Sequence, residues 1–396
     1  KMLATMAYSK VIIDEIQAYQ PRIVAVILKA LEMIHRLGGR FMIMTATLPP
    51  IYIDEMKRRK IFDDSCLYKE FIDEQFIRHR VRIEDRSLEE KIFEIKEQGK
   101  QKKVLIIVNT VKRAIELYRM FNDDDNVKLL HSRFIPKDRS MLERKIKDFD
   151  RHEKHGIWIT TQIVEASIDI DFDVLHTELS TIDSLLQRFG RCYRKRRLDH
   201  DDANVYIYTE NVSGRKNVYD EDILNLTEKA LRDYNGKTIN EREKVELVKN
   251  IYSIESLSGT NYYKEFQKAV HELDNVIEYH YTQDEAQKVL RNSDTVRVIP
   301  RTIFDEIIEI FEALETEADL NRRSQLRREI EQHVLTVPRK MYDKSLLERI
   351  DFYYTTKSGR KYELFPDTFI IDVAYDFNRE NVKGIGLYEM DEASFL

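Results

Sequence analysis

The chain has 396 residues, 42% of them hydrophobic, with 65 basic against 71 acidic side chains and a net charge of −6. That length supports two or three domains with real cores, no apolar run approaches the ~18 residues of a membrane span, and no stretch reads as a signal peptide. Its two cysteines, Cys66 and Cys192, make neither a disulfide framework nor a metal-ligand cluster, which points to a reducing cytoplasm. The acidic balance excludes a polycation but not a local basic track for nucleic acid. The chain runs into a strand soon after Lys1, as the continuation of something longer would.

Val11-Ile12-Ile13 is an apolar β-branched run and predicts a buried parallel strand. It ends in Asp14-Glu15-Ile16-Gln17. Carboxylates at the C-terminal end of such a strand lie where α/β sheets hold ligands. Asp14 has the hard oxygens that Mg²⁺ prefers, and Glu15 could orient and deprotonate a water. On its own, the pair is an ordinary helix start. A helix does follow: Pro21 opens it, Val24, Leu28 and Leu31 share its apolar face, and Gly38-Gly39 stops it. Phe41 to Met44 predicts a second buried strand, ending in Thr45-Ala46-Thr47-Leu48-Pro49. The order of these pieces is far more specific than any one of them.

Ser87-Leu88-Glu89-Glu90 has a capping-box pattern before a helix that Gly99 terminates. Strands are expected at Val104–Val108, Val127–Leu130, Ile157–Thr160, Val174–Leu175 and Val205–Tyr208, with helices between. That alternation implies a parallel sheet. Between the last two strands lies Leu185-Leu186-Gln187-Arg188-Phe189-Gly190-Arg191-Cys192-Tyr193-Arg194. Positions three apart are neighbours on a helix, so these guanidinium groups share one side, and arginine binds phosphate in a bidentate way that lysine does not. Arg188 to Arg197 holds six basic residues in ten, part of a possible nucleic-acid track or a solvated face. Beyond Ser213 the pattern is helical from Asp222 to about Ala286, with further helices at Ile303–Leu314 and Arg322–His333. Strands are expected at Val334–Arg339, Phe352–Thr356 and Tyr362–Phe365, the last two joined by a Lys357-Ser358-Gly359-Arg360 turn. Tyr353, Tyr354, Tyr362 and Phe365 read as core or hairpin pairs, with base stacking as the other reading.

DEIQ, MTATLP and QRFGRCYR, in that order, resemble motifs two, three and six of superfamily-two helicases. TTQIVEASIDIDFD and HSRFIPKDR narrow the resemblance to the CRISPR-associated helicase–nuclease of type I systems, the enzyme that Cascade recruits. The specific motifs run from Val11 to Arg197, and the likeness continues loosely through Thr336-Val337-Pro338-Arg339. The resemblance implies translocation along single-stranded DNA driven by ATP, with Mg²⁺, and an HD nuclease as domain or subunit. It implies an α/β fold of RecA-like parallel sheets, one partial and one complete, then a helical linker and a small α+β C-terminal domain. The corresponding boundaries are 1–78, 79–212, 213–300 and 301–396.

Residue by residue, it implies that Asp14 holds Mg²⁺ through water and Glu15 activates the attacking water. Arg191 and Arg194 act on the γ-phosphate as fingers worth roughly a thousandfold in rate, and Gln187 touches the γ-phosphate or the catalytic water. Asp169 faces the ribose. Gln17, Thr45, Thr47, Glu165 and Arg188 couple the sites, and Ser167 belongs to motif five. Asn109, Thr110, His131, Ser132, Arg133, Thr161 and Gln162 face DNA. A helix N-cap is the other reading of Asn109 and Thr110, and the two are compatible. Two departures stand out. Gln17 replaces the family's usual histidine; its amide should still donate towards motif three but cannot titrate. No GxxxxGK[ST] phosphate loop occurs, so the first RecA-like domain is expected to be truncated to its C-terminal half, and the chain alone to be inactive. His200-Asp201 lacks the ligand spacing of an HD nuclease. The rival readings are a superfamily-two helicase of repair or restriction, and a non-catalytic module that binds DNA or Cascade.

Overall fold

The first lobe is built on two short parallel strands, β1 (Lys10–Asp14) and β2 (Arg40–Met44), with Lys10 opposite Arg40 and Asp14 opposite Met44. The connecting helix α1 (Pro21–Arg36) starts on a proline, whose missing N–H is harmless in the first turn, and buries Val24, Leu28 and Leu31. Helix α2 (Pro50–Arg58) buries Ile51, Tyr52 and Met56. In this computed structural model, which describes residues 5, 7–121, 124–165, 168–275, 295–339, 342, 344–356 and 359–388, the two strands are not buried as their apolar runs predict. Side chains alternate across a strand. Val11, Ile13, Phe41 and Ile43 pack inward, while Ile12, Met42 and Met44 stand 60%, 47% and 47% exposed.

The second lobe contains β3 (His79–Glu84), α3 (Ile92–Gly99), β4 (Lys103–Ile107), α4 (Val111–Met120), β5 (Val127–Leu130), α5 (Pro136–His152), β6 (Gly156–Thr160), β7 (Val174–Glu178), α6 (Ile182–Phe189) and β8 (Val205–Tyr208). Its strands lie in the order β5-β6-β4-β7-β8-β3, all parallel. β4, β6 and β7 have no exposed residue in their apolar runs, as central strands covered on both faces should. Of the predicted capping box, one half forms: the Ser87 amide donates to Glu90 Oε1 at 2.9 Å. A further short strand, β9 (Thr238–Ile239), closes the sheet antiparallel to β3.

Around β9 the chain forms α7 (Glu221–Leu231), α8 (Glu241–Ile251) and α9 (Asn261–Asp274). A reciprocal capping box between Asn240 and Glu243 starts α8. α8 packs on α6 and α7, whereas α9 lies along α1, so this helical stretch touches both lobes. Arg22 pairs with Glu272 at 2.9 Å, and Asp274 takes Arg58 at 2.6 Å and the buried Arg59 at 3.0 Å. The helical residues expected after 275 lie outside the described residues.

The last part has its own core, with Phe304, Phe311, Ile330 and Ile371 among its members. Helices α10 (Arg301–Thr316) and α11 (Leu320–Glu331) cover a sheet of β10 (Thr295–Pro300), β11 (Leu335–Pro338), β12 (Leu347–Arg349) and β15 (Thr368–Ile371). β13 (Tyr353–Thr355) and β14 (Lys361–Glu363) form the expected hairpin; Lys357 and Ser358 of its turn lie outside the described residues. A second hairpin, β16 (Tyr375–Asn378) with β17 (Lys383–Leu387), packs on the second lobe beside β5. No described helix is long and apolar enough to cross a membrane.

Candidate functional site

The end of β1 delivers Asp14 exposed, and the chain then turns through Glu15 at φ 50° and ψ 54°. A non-glycine residue in that left-handed region costs on the order of 1 kcal/mol and persists only where its surroundings hold it. Here the Glu15 amide donates to the Met44 carbonyl at 2.9 Å. The buried Gln17 donates Nε2 to Glu15 Oε2 and accepts the Thr45 hydroxyl at Oε1. Thr45 Oγ1 in turn accepts the Thr47 amide at 3.2 Å. The expectation that Gln17 donates towards motif three is therefore corrected. Its donor end holds Glu15 and its acceptor end takes Thr45, and a titrating group is not needed for either.

On α6 and just past it, the arginines divide. Arg188 is completely buried: Nε donates to Glu165 Oε1 at 2.7 Å, Nη1 to Thr177 Oγ1 at 2.7 Å and the Glu178 carbonyl at 3.1 Å, and Nη2 to Asn109 Oδ1 and the Tyr219 hydroxyl, both at 2.9 Å. Arg191 donates Nη1 and Nη2 to the carbonyls of Ile168 and Glu165, both at 2.6 Å, while its buried Nε has no hydrogen-bond partner. Arg194 pairs with Asp169 at 2.7 Å, so the carboxylate assigned to the ribose here holds an arginine assigned as a finger. Arg196 is shared between Asp171 and Asp173 at 3.0 and 2.8 Å. The basic run is thus not the free track its composition suggested, because the acidic residues of motif five neutralise it from across the loop. Ser167 lies outside the described residues.

Burial and then the charge of Arg194 lower the pKa of Arg191, while Asp169, Glu165 and Glu15 raise it. The last of these belongs to the first lobe. Glu15 and Arg191 therefore influence one another electrostatically, and the Ile16–Ala18 turn packs against α6.

A cavity of about 510 Å³ opens at the strand ends of the second lobe. Thr110, Ser132, Arg133, Thr161, Gln162, Glu165 and Gln187 line it, with Ala18 on one side and Thr336, Val337 and Pro338 of β11 on another. Gln187 thus stands with the residues assigned to DNA. Thr110 caps α4 through the Arg113 amide at 3.3 Å, and Gln162 donates to the Asn109 carbonyl at 2.7 Å. Of the residues assigned to DNA, His131 is corrected, and Asn109, which borders the cavity, spends its side chain on the protein's own groups. The Asn109 amide group is turned inward, donating to the carbonyls of Leu179 at 2.9 Å and Ser213 at 3.0 Å and accepting Arg188. The His131 ring is fully buried, stacked on Phe134 at 4.5 Å, with the backbone of Gly386 against it. Asp183, Ser184 and Tyr219 also line the cavity, and the motifs did not single them out. Asp183 was findable, because it lies four residues before Gln187 on one helical face.

The family described as "CRISPR-associated nuclease/helicase Cas3, C-terminal" matches residues 100–197. A Cas3 nuclease/helicase of Methanothermobacter thermautotrophicus is 32% identical over 313 residues, which is 74% of this chain and 37% of that protein. The structure of T. fusca Cas3 with ADP superposes with a TM-score of 0.71 at 18% identity, covering 98% of this chain and 55% of that one. The chain aligns with the C-terminal portion of Cas3. A chain of a CRISPR RNA-guided surveillance complex, in a pre-nicking state, has the same Cas3-like fold, with a TM-score of 0.67, 19% identity, and 98% and 57% coverage. The Cas3 family match spans motifs four to six; the Asp14–Thr47 arrangement lies upstream of it. The chain spans well under half the length of its curated Cas3 relative from M. thermautotrophicus.

Proposed function

We propose that residues 1–396 form the motor portion of a type I CRISPR helicase, an ATP-driven translocase on single-stranded DNA. The whole protein would work in the cytoplasm, recruited to the Cascade surveillance complex and acting with an HD nuclease as domain or subunit. One observation carries the reading: the Ile16–Ala18 turn, which directly follows Glu15 in the first lobe, packs against α6, the helix that leads into Arg191 in the second. Superfamily-two motors hydrolyse ATP between two such lobes, so this is where the reaction would take place.

The residues suit ATP and Mg²⁺. Asp14 is an exposed hard-oxygen ligand, and Mg²⁺ commonly binds through one or two carboxylates, phosphates and water. Arg191 Nε is a buried donor without an acceptor. When bound, the cation neutralises phosphate charge. Glu15, held by Gln17, takes the proton of the attacking water. Arg191 and Arg194 stabilise the charge that develops on the transferred phosphoryl group, Gln187 orients the water, and Asp169 faces the ribose. Single-stranded DNA lies in the cavity against Thr110, Ser132, Arg133, Thr161 and Gln162, with Thr336–Pro338 as the opposite wall. Gln17, Thr45, Thr47, Glu165 and Arg188 link the two sites. Residues 1–396 hold no GxxxxGK[ST] loop, and this favours a second reading for the chain by itself, a module that binds DNA or Cascade without turnover.

The test is ATP hydrolysis with and without single-stranded DNA, on this chain and on an intact protein that also carries a phosphate loop. The intact protein should show DNA-stimulated turnover that Glu15→Gln abolishes and Arg191→Ala lowers by roughly a thousandfold. Near-normal turnover of the Arg191 variant would remove the finger assignment. No turnover by this chain, with DNA binding retained, is the outcome of the second reading.

A further inference from the structure

Tyr52, in α2 just after motif three, is fully buried, and its hydroxyl lies 2.6 Å from that of Tyr262 in the first turn of α9. The Tyr262 ring lies against that of Tyr252, centroids 5.6 Å apart and tilted by 59°. Tyr252 caps the C-terminus of α8 and donates its hydroxyl to Asp183 Oδ1 at 2.5 Å. Asp183 sits in the first turn of α6 and borders the cavity with Gln187. Four side chains therefore connect the first lobe to the helix of motif six, and the middle two belong to the linker helices.

Packing alone does not ask for this. A phenylalanine fills nearly the same volume without burying a hydroxyl, and a buried hydroxyl is tolerated only where it finds a partner. Here two hydroxyls, of Tyr52 and Tyr262, face one another, a third, of Tyr252, faces a carboxylate, and the rings of Tyr262 and Tyr252 join the two pairs. α8 also grips the other end of motif six. Lys244 Nζ donates to His79 Nδ1 at 2.9 Å, and His79 Nε2 donates to the Cys192 carbonyl at 2.8 Å. One linker helix thus holds the segment before Gln187 and the segment after Arg191.

We propose that Tyr52, Tyr262, Tyr252 and Asp183 act as a positioning relay, passing displacements of α2 through the linker to the first turn of α6 and so to Gln187 at the cavity wall. Its purpose, though not its geometry, rests on the motor reading above. The four are positioning residues; none is assigned to the reacting atoms.

Hydrogen exchange on the 396-residue chain tests the relay without any activity. Tyr52→Phe removes one oxygen in the first lobe. The amides of residues 182–189, in the other lobe, should exchange several-fold faster. Tyr252→Phe should do the same, and the double variant should be no faster than Tyr252→Phe alone. Acceleration confined to residues 50–58 and 261–274, or effects that multiply in the double variant, would overturn the relay. If Tyr52→Phe loses protection everywhere, Tyr262→Phe, at a half-buried position, gives the same reading. In an intact protein, Tyr262→Phe should lower DNA-stimulated kcat several-fold and leave the KM for DNA unchanged. An equal loss with and without DNA would also count against it. A parent with no DNA-stimulated turnover sinks the motor reading, while the exchange result still decides the relay.

Discussion

Arg188, Arg191 and Arg194 are spaced identically in the sequence, yet they have three different environments. Arg188 is sealed, Arg191 lies on backbone carbonyls, and Arg194 is paired at the surface. The spacing made all three legible as one basic face; it could not show which of them the sheet would cover. That depends on Glu165, Asn109 and Tyr219, which come from separate strand ends and a later loop. Arg188→Lys should therefore be the severe change. Lysine has no planar fork, so it cannot satisfy all five acceptors, and breaking a buried ion pair typically costs about 3–5 kcal/mol. Urea unfolding should show a markedly lower midpoint; an unchanged midpoint would mean the network reforms around the ammonium. Asn109 and His131 teach the same lesson from the other side. Motif position placed them at the right strand ends, but the direction of each side chain is set by contacts far along the chain.

Among the elements, the longer helices and the central strands were readable because their apolar patterns are long and regular, whereas the nine-residue α2 was not read. β3 was not, since HRVRIE alternates charge with apolar residues and has no apolar run. β16 and β17 were missed for a different reason. They are short, and β17 contains Gly384 at φ 155° and Gly386 at φ 68°, which break any strand pattern. That hairpin is pinned at two points. Fully buried Asp138 accepts the Tyr375 hydroxyl at 2.7 Å and Arg379 Nε at 2.8 Å. A Cβ on Gly386 would come within 2.7 Å of the Arg133 carbonyl oxygen, which accepts the Leu387 amide at 3.0 Å. Gly386→Ala should detach the hairpin, and Asp138→Ala should weaken it by about 3 kcal/mol. Limited proteolysis within residues 375–387 reads both, and resistance equal to the parent's would show that the hairpin is held elsewhere.

Across the whole molecule, four buried histidines among the described residues tie stability to pH, His333 among them with its pKa lowered by burial. Burial drives His79 well below its usual value of 6.5, and takes His131 and His176 each to about 3. In each case the folded chain stays unprotonated where the unfolded chain takes a proton, so stability is complete above about pH 6.5 and is lost as pH falls towards 3. Melting midpoints should drop between pH 7.5 and pH 5. His176→Gln, which keeps a polar group beside Gln98 and Tyr208, should flatten that slope. A slope unaltered by the substitution would place the pH dependence elsewhere. At this scale the sequence was legible in outline, since the order of motifs implied facing lobes. The long helical stretch was read only as a linker, because its grip on both lobes lies in the tertiary contacts of Asp274, Tyr262 and Tyr252.

The contrast between Arg194 and Arg188 also has a meaning in time. The Arg194–Asp169 pair is 35% and 64% exposed, and an exposed pair of this kind is worth at most about 1 kcal/mol, so it breaks and reforms on the nanosecond scale of surface side chains. The Arg188 network, with no exposure on the arginine, can open only when the strand ends around it part, a motion of microseconds or longer. Motif six therefore keeps two clocks on one short helix and its tail. The outer arginine can sample partners many times within a single opening of the lobe, while the inner one registers only that the lobe has opened.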